Sequence, residues 1–213
     1  MTRIYFIRHG ESQAKLEQRF AGSDDAPLTE KGREQAQRTA EFLKDVSFAA
    51  VYASNLSRAY ETGLATATLH HLPVTPVSTL QEVHAGQWEG RGYEEIRDLY
   101  PEDYRVWITQ IGLCTTTGGE SIADLQHRVK KSVEEIVRRH PGETICIATH
   151  ATPIRAMEGI WTHTPLERLH TIPWVSNASV TIVEYDEAGE GHLVKRDLHD
   201  HLGNLSTFVP PTA

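Results

Sequence analysis

The 213-residue sequence predicts an α/β protein: a three-layer sandwich whose largely parallel central sheet is flanked by helices, with a small lid or insertion added. Two observations predict it. Short β-branched runs alternate with longer amphipathic segments, the order that builds a parallel sheet through crossover helices. Hydrophobic residues make up 39% of the chain and charged residues 23%, the balance of an ordinary globular unit. A chain of this length buries roughly 70% of its unfolded surface, so a single domain over residues 1–213 needs no staples.

Taken in order, Arg3–Arg8 reads as a strand that stops at Gly10. Thr29–Asp45 reads as a helix, because Ala36, Ala40 and Leu43 recur four and three apart behind Thr29 as N-cap. Ala49–Ala53 is a second strand, followed by a helix from about Ser57 to His70, and Pro73–Val77 is a third strand. Ser121–His140 carries the clearest helical pattern. Its Ile122, Leu125, Val129, Val133, Ile136 and Val137 keep to one face, and Pro141-Gly142 stops it. Thr144–Ala148 is a strand, and Thr152-Pro153 opens another helix. Ala178–Tyr185 and His192–Leu198 form a hairpin around a Gly-containing turn. Residues 84–120, rich in Gly, Trp and Tyr with weak periodicity, are expected to be the lid or insertion, and residues 199–213 a loose tail.

The net charge of −8, with no basic run longer than two residues, argues against a nucleic-acid partner. Cys114 and Cys146 lie far apart and outside any metal spacing, as reduced thiols of a cytoplasmic protein would. The start of the chain is too briefly apolar for a signal peptide, and no run approaches the ~20 apolar residues of a membrane span. A soluble, cytoplasmic protein without a membrane partner is expected. The oligomeric state stays open, a homodimer included.

In open α/β sheets, ligands bind beyond the carboxyl ends of the strands. Here the first strand ends in Arg8-His9-Gly10, the second leads through Ser54 to Arg58, and Thr144–Ala148 leads into Thr149-His150. If these strands are neighbours, two arginines and two histidines converge. Guanidinium forks match phosphate oxygens, and a helix opening at Thr152-Pro153 would add N–H groups and a positive dipole end. A phosphate site is the simplest inference.

Arg8-His9-Gly10-Glu11-Ser12 directly after an N-terminal strand resembles the signature of the histidine phosphatase superfamily, in its phosphoglycerate-mutase-like branch. The likeness continues through Arg19-Phe20-Ala21-Gly22, Pro27-Leu28-Thr29-Glu30-Lys31-Gly32 and Ser54-Asn55-Leu56-Ser57-Arg58-Ala59. It runs on through Glu82, Gly86-Gln87-Trp88-Glu89-Gly90, Gly118-Gly119-Glu120-Ser121 and Thr149-His150, covering about residues 3–185. The resemblance implies a metal-independent phosphomonoesterase with no cofactor, acting on a small phosphorylated metabolite through a phosphohistidine on His9. Neutral imidazole is a competent nucleophile, and flanking arginines keep it unprotonated. Arg8, Arg58 and His150 would spread the charge of the moving phosphoryl group.

Glu82 is the implied general acid and base. From the residues alone Glu11, Asp24, Asp25 and Glu89 compete, with Glu11 alternatively orienting the loop after His9. Substrate contacts are expected from Arg8, Lys15, Ala21, Gly22, Arg58, His150 and Ala151, while His84 either touches substrate or packs under Trp88. Several positions depart from the family pattern. Lys15 stands where an asparagine is common, Gln18 where mutases carry another, Ala21 where a hydroxyl is common, and Ala151 where glycine is usual. These departures, and the shortness of residues 84–120, favour the small phosphatases, among them α-ribazole and broad-specificity enzymes. The alternatives are a 2,3-bisphosphoglycerate-dependent mutase, a non-catalytic phosphate-binding module of the same fold, and a metalloenzyme using His199 and His201. The last has no third ligand nearby, so no metal site is expected.

Overall fold

The computed structural model describes residues 1–207. Its one six-stranded sheet contains β1 (Thr2–Arg8), β2 (Ala50–Ala53), β3 (Val74–Pro76), β4 (Thr144–Thr149), β5 (Val180–Tyr185) and β6 (Gly191–Leu198). The strand order is β3-β2-β4-β1-β5-β6. The first four strands run parallel, and the β5–β6 hairpin adds antiparallel to β1. The helices are α1 (Gln13–Leu16), α2 (Glu30–Phe42), α3 (Ser57–Leu69), α4 (Tyr93–Leu99), α5 (Pro101–Thr109), α6 (Ile122–Arg139) and α7 (Ala151–Trp161).

The two-residue period of the strands creates the three layers. Ile4 and Phe6 of β1, with Ile145 and Ile147 of β4, face α6, α7 and the insertion. Ile7, Val51, Cys146 and Ala148 face the opposite way, onto Leu43 at the end of α2 and Ala67 of α3. The small residues Ala36, Ala40 and Ala65 let α2 and α3 approach closely. No helix among the described residues is long and apolar enough to cross a membrane.

Local signals act as expected at the helix starts. Thr29 Oγ1 accepts the Gly32 N–H, and Ser121 Oγ accepts the Asp124 N–H. The hairpin begins later than Ala178, because that residue adopts a left-handed φ of 54° and its N–H donates to Arg8 O and His9 O. Residues 84–120 hold α4, α5 and short 3-10 turns. Their weak periodicity has a physical reason: α5 has no fully buried residue, and its aromatic side chains are shared between the core and a cavity.

The expectation of a loose tail is corrected for residues 199–207. Asp200–Leu205 form a 3-10 turn against α2, with Leu202 fully buried and Leu205 O accepting from Gln35 Nε2. The polar composition hid that single apolar anchor. Residues 208–213 of the expected tail lie outside the described residues.

Candidate active site

The parallel register brings the three strand ends together. Ile7 and Ala53 both pair with Ala148, so Arg8, Ser54 and Thr149 form the next row and His9 and His150 stand just beyond it. His9 N donates to Thr149 O at 2.9 Å, and Ser54 N donates to Ala148 O at 2.9 Å. The two imidazole rings lie 5.1 Å apart, at 63° to each other.

The loop after β1 is fixed by close backbone contact. A Cβ on Gly10 would fall 2.3 Å from Gly32 O, and one on Gly32 would fall 2.1 Å from Glu11 O. Only glycines let the loop and the first turn of α2 meet this closely. Gly10 N donates to Thr62 Oγ1, and Asn177 Nδ2 donates to His9 O at 3.0 Å.

His9 is 6% exposed, and its Nδ1 lies 2.7 Å from Gly10 O. A carbonyl only accepts, so the ring proton sits on Nδ1 and the Nε2 lone pair is free. Burial, then the charges of Arg58 and Arg8, hold this imidazole well below the usual histidine range. Burial and Arg58 likewise keep His150 unprotonated. His150 Nε2 lies 2.8 Å from Ser54 Oγ, which also accepts the Leu56 N–H. The Ser54 hydroxyl can pair with either tautomer; when it donates to Nε2, the His150 proton stands on Nδ1.

Both arginines are braced through their terminal nitrogens. Arg58 donates to Asp24 O at 2.6 Å and Gly22 O at 2.7 Å, and Arg8 Nη1 donates to Val175 O. Three nitrogens of the cluster are then buried without a partner: Arg8 Nε, Arg58 Nε and His150 Nδ1. A buried unpaired polar nitrogen costs roughly 1–3 kcal/mol, and with the charges of Arg58 and Arg8 acting on His9 these groups suit an anion.

These residues open onto a cavity of about 500 Å³. Arg8, His9, Lys15, Ala21, Gly22, Arg58, Glu82 and Ala151 line it, and His150 stands behind His9, fully buried. Glu82 is the one acidic residue of the lining. Asp24 does not line this cavity, and the other three competitors are occupied elsewhere. Glu11 accepts from Thr29 Oγ1, Asp25 from Ser57 N, and Glu89 from Ser23 N and Ala85 N. The α7 N-terminus is used differently from the expectation, since Thr152 N donates to Glu82 Oε2 at 3.3 Å. This contact helps to orient the Glu82 carboxyl group.

His84 does not line the cavity. Its side chain is 59% exposed, with Nδ1 3.1 Å from both Ser23 Oγ and Glu89 Oε1, so it is not buried beneath Trp88. Lys15 does turn inward, donating from Nζ to Asn177 Oδ1 at 2.5 Å. Burial, reinforced by Arg8, pushes its ammonium down to about 7. His199 and His201 are structural: His199 Nδ1 bonds Asp197 O, and His201 stacks on Phe42 at 4.4 Å.

The sequence reading missed Asn177, Thr62 and Ser54 as supports, and the aromatic wall of Tyr93, Tyr104, Trp107 and Trp174. Their only sequence signal was the cluster of aromatic residues in the insertion. A second cavity, about 450 Å³, opens at the other end of β1 beside Met1 and Arg138 and holds none of these groups.

Residues 4–197 match the histidine phosphatase superfamily (branch 1). The chain is 32% identical over 205 residues to phosphoserine phosphatase 1 of Hydrogenobacter thermophilus, covering 96% of each. It is 31% identical to the adenosylcobalamin/alpha-ribazole phosphatase of Escherichia coli, over 70% of this chain and 73% of that one. Among solved structures it is similar to Bacillus stearothermophilus YhfR, with a TM-score of 0.90 and 36% identity over 95% of this chain and all of that one. The arrangement of strand-end histidines and arginines thus sits inside a whole-chain likeness, and the protein belongs to the histidine phosphatase superfamily, branch 1.

Proposed function

We propose that this chain hydrolyses the phosphate monoester of a small metabolite through a phosphohistidine on His9, without a metal ion. The observation that carries the reading is His9, its Nδ1 held by Gly10 O and its Nε2 left free, in a cavity it shares with Arg8, Arg58 and Glu82.

In the first step the Nε2 lone pair attacks phosphorus as the bond to the ester oxygen breaks. The Glu82 carboxyl gives its proton to that oxygen, and the alcohol leaves. Gly10 O steadies the positive charge that builds on the ring through the Nδ1–H. Arg8, Arg58 and His150 donate to the three equatorial oxygens, where the charge of the transition state is spread. In the second step Glu82, now a carboxylate, takes a proton from water as the water oxygen attacks phosphorus. The P–N bond breaks, inorganic phosphate leaves, and both residues return to their starting states.

The test is hydrolysis of p-nitrophenyl phosphate in EDTA between pH 5 and 8, beside His9→Ala. Turnover that survives chelation and is lost in the variant is expected. Turnover abolished by EDTA, or retained by His9→Ala, overturns the mechanism. The names of the relatives nominate phosphoserine and α-ribazole phosphate as first substrates, with 3-phosphoglycerate isomerisation as the control for mutase activity.

A further inference from the structure

Glu82 is carried by a stretch with no partner strand. Ser78–Leu80 is a 3-10 turn, and residues 81–85 are irregular. Arg128, in the second turn of α6, holds this stretch in place. Its Nη1 donates to Thr79 O at 2.9 Å and Gln81 O at 2.8 Å, and its Nη2 donates to Glu82 O at 2.8 Å. Nη2 also meets Glu120 Oε1, and Nε donates to Glu120 Oε2 at 3.0 Å. A guanidinium offers five N–H groups in a rigid planar fork, so these five contacts use it completely. Glu120 Oε1 in turn accepts the His84 N–H at 2.8 Å, which extends the frame from residue 79 to residue 84.

The docking of α6 does not depend on this bonding alone. Ile122, Leu125, Val129, Val133 and Ile136 already bury that helix. Every donor of Arg128 goes to the loop that bears Glu82 or to the carboxylate that aligns the fork. Among the described residues the Glu82 side chain meanwhile accepts hydrogen bonds only from its neighbour Val83 N, at 2.9 Å, and Thr152 N, at 3.3 Å. Its placement beside the leaving-group oxygen therefore depends on where the backbone is held.

We infer that Arg128 is a positioning residue for proton transfer: by gripping the carbonyls of Thr79, Gln81 and Glu82 it sets the station of the Glu82 carboxyl. This inference rests on the reading of Glu82 as proton donor. It has a specific signature, because an ester with a poor leaving group needs the proton and one with a good leaving group does not.

The experiment compares kcat/KM, which reports the first phosphoryl transfer, for an alkyl phosphate and for 2,4-dinitrophenyl phosphate. Wild type, Arg128→Ala, Arg128→Lys and Glu82→Gln are measured side by side. Arg128→Ala is expected to lose about 30-fold on the alkyl ester and less than about 3-fold on the dinitrophenyl ester, since a misplacement near 1 Å costs up to about 100-fold. Arg128→Lys, whose single nitrogen cannot span three carbonyls and a carboxylate, should show the same split more weakly. It carries the test if the alanine variant fails to fold. The loss of the second-step base should also give a burst of dinitrophenolate near one per enzyme. Equal losses on both esters, or none, in Arg128 variants while Glu82→Gln shows the split overturn the positioning role. A Glu82→Gln enzyme with no split overturns the reading of Glu82 itself, and the inference with it.

Discussion

The two ends of the active-site cavity are built on opposite principles. At the end that holds His9, Arg58 and His150 are essentially unexposed, Arg58 is tied to Asp24 O and Gly22 O, and the groups hang from strand ends and a helix start. At the leaving-group end, Tyr93, Tyr104 and Trp107 come from the short helices of the insertion, and Trp174 from the loop before β5. Trp107 and Trp174 lie nearly parallel with centroids 6.2 Å apart, and the Arg155 guanidinium backs the Trp174 ring at 4.2 Å. One end is electrostatic, the other apolar and aromatic. On the proposed mechanism, the first end sets the rate and the second the choice of substrate.

Substitutions should divide along the same line. His9→Ala is expected to lower kcat by at least about 10⁴-fold, since no neighbouring group can take over the covalent step. Arg58→Ala should cost about 10²–10³-fold in kcat, through loss of charge stabilisation and of the bonds to Gly22 and Asp24. At the other end, Trp174→Ala should raise KM about 5–10-fold for a bulky ester with kcat changed less than about 2-fold. Steady-state kinetics on one preparation series checks all three. A kcat collapse in the tryptophan variant would erase the division.

Two pH effects sharpen it. Burial, Arg58 and Arg8 depress the His9 imidazole, so the acid limb of kcat/KM should lie below pH 6.5, where an ordinary histidine would already have titrated. Arg58→Ala removes one cause and should move that limb upward. Because His9 and His150 are both held neutral, their contribution to stability is complete above about pH 6.5 and is lost as pH falls toward their lower folded values. Lys15 acts with the opposite consequence for binding. Its ammonium, pushed down to about 7, loses charge as pH rises through neutrality, so phosphate inhibition should weaken there. Lys15→Gln should flatten that dependence, a change of about 3–5-fold in Ki by the usual scale of a screened charge. Product-inhibition curves at pH 6.5 and 8 read it directly.

The chemistry was far more legible in the sequence than the specificity, and the reasons are physical. Strand alternation and strand-end residues announce themselves locally, so Arg8, His9, Arg58 and His150 could be placed at one sheet edge before any coordinates. Glu82 could not be chosen on spacing, because it sits on an irregular stretch held by distant groups. Asn177 was invisible for the same reason: it is 168 residues from His9 and meets it only through the antiparallel addition of β5. His84 was misplaced because adjacency in sequence says nothing about which side of a turn a ring takes. The tail was called loose on its polarity, and one buried leucine at 202 reversed that.

The sheet register has one more implication. His9 and His150 each follow immediately after a strand, and side chains alternate faces along it. A slip of one residue between β1 and β4 would shift His150 by about 3.3 Å and turn it to the other side of the sheet. No partly zipped or misaligned sheet can assemble the anion site. On the proposed activity, turnover is an assay of native strand alignment, and the appearance of product would report refolding yield.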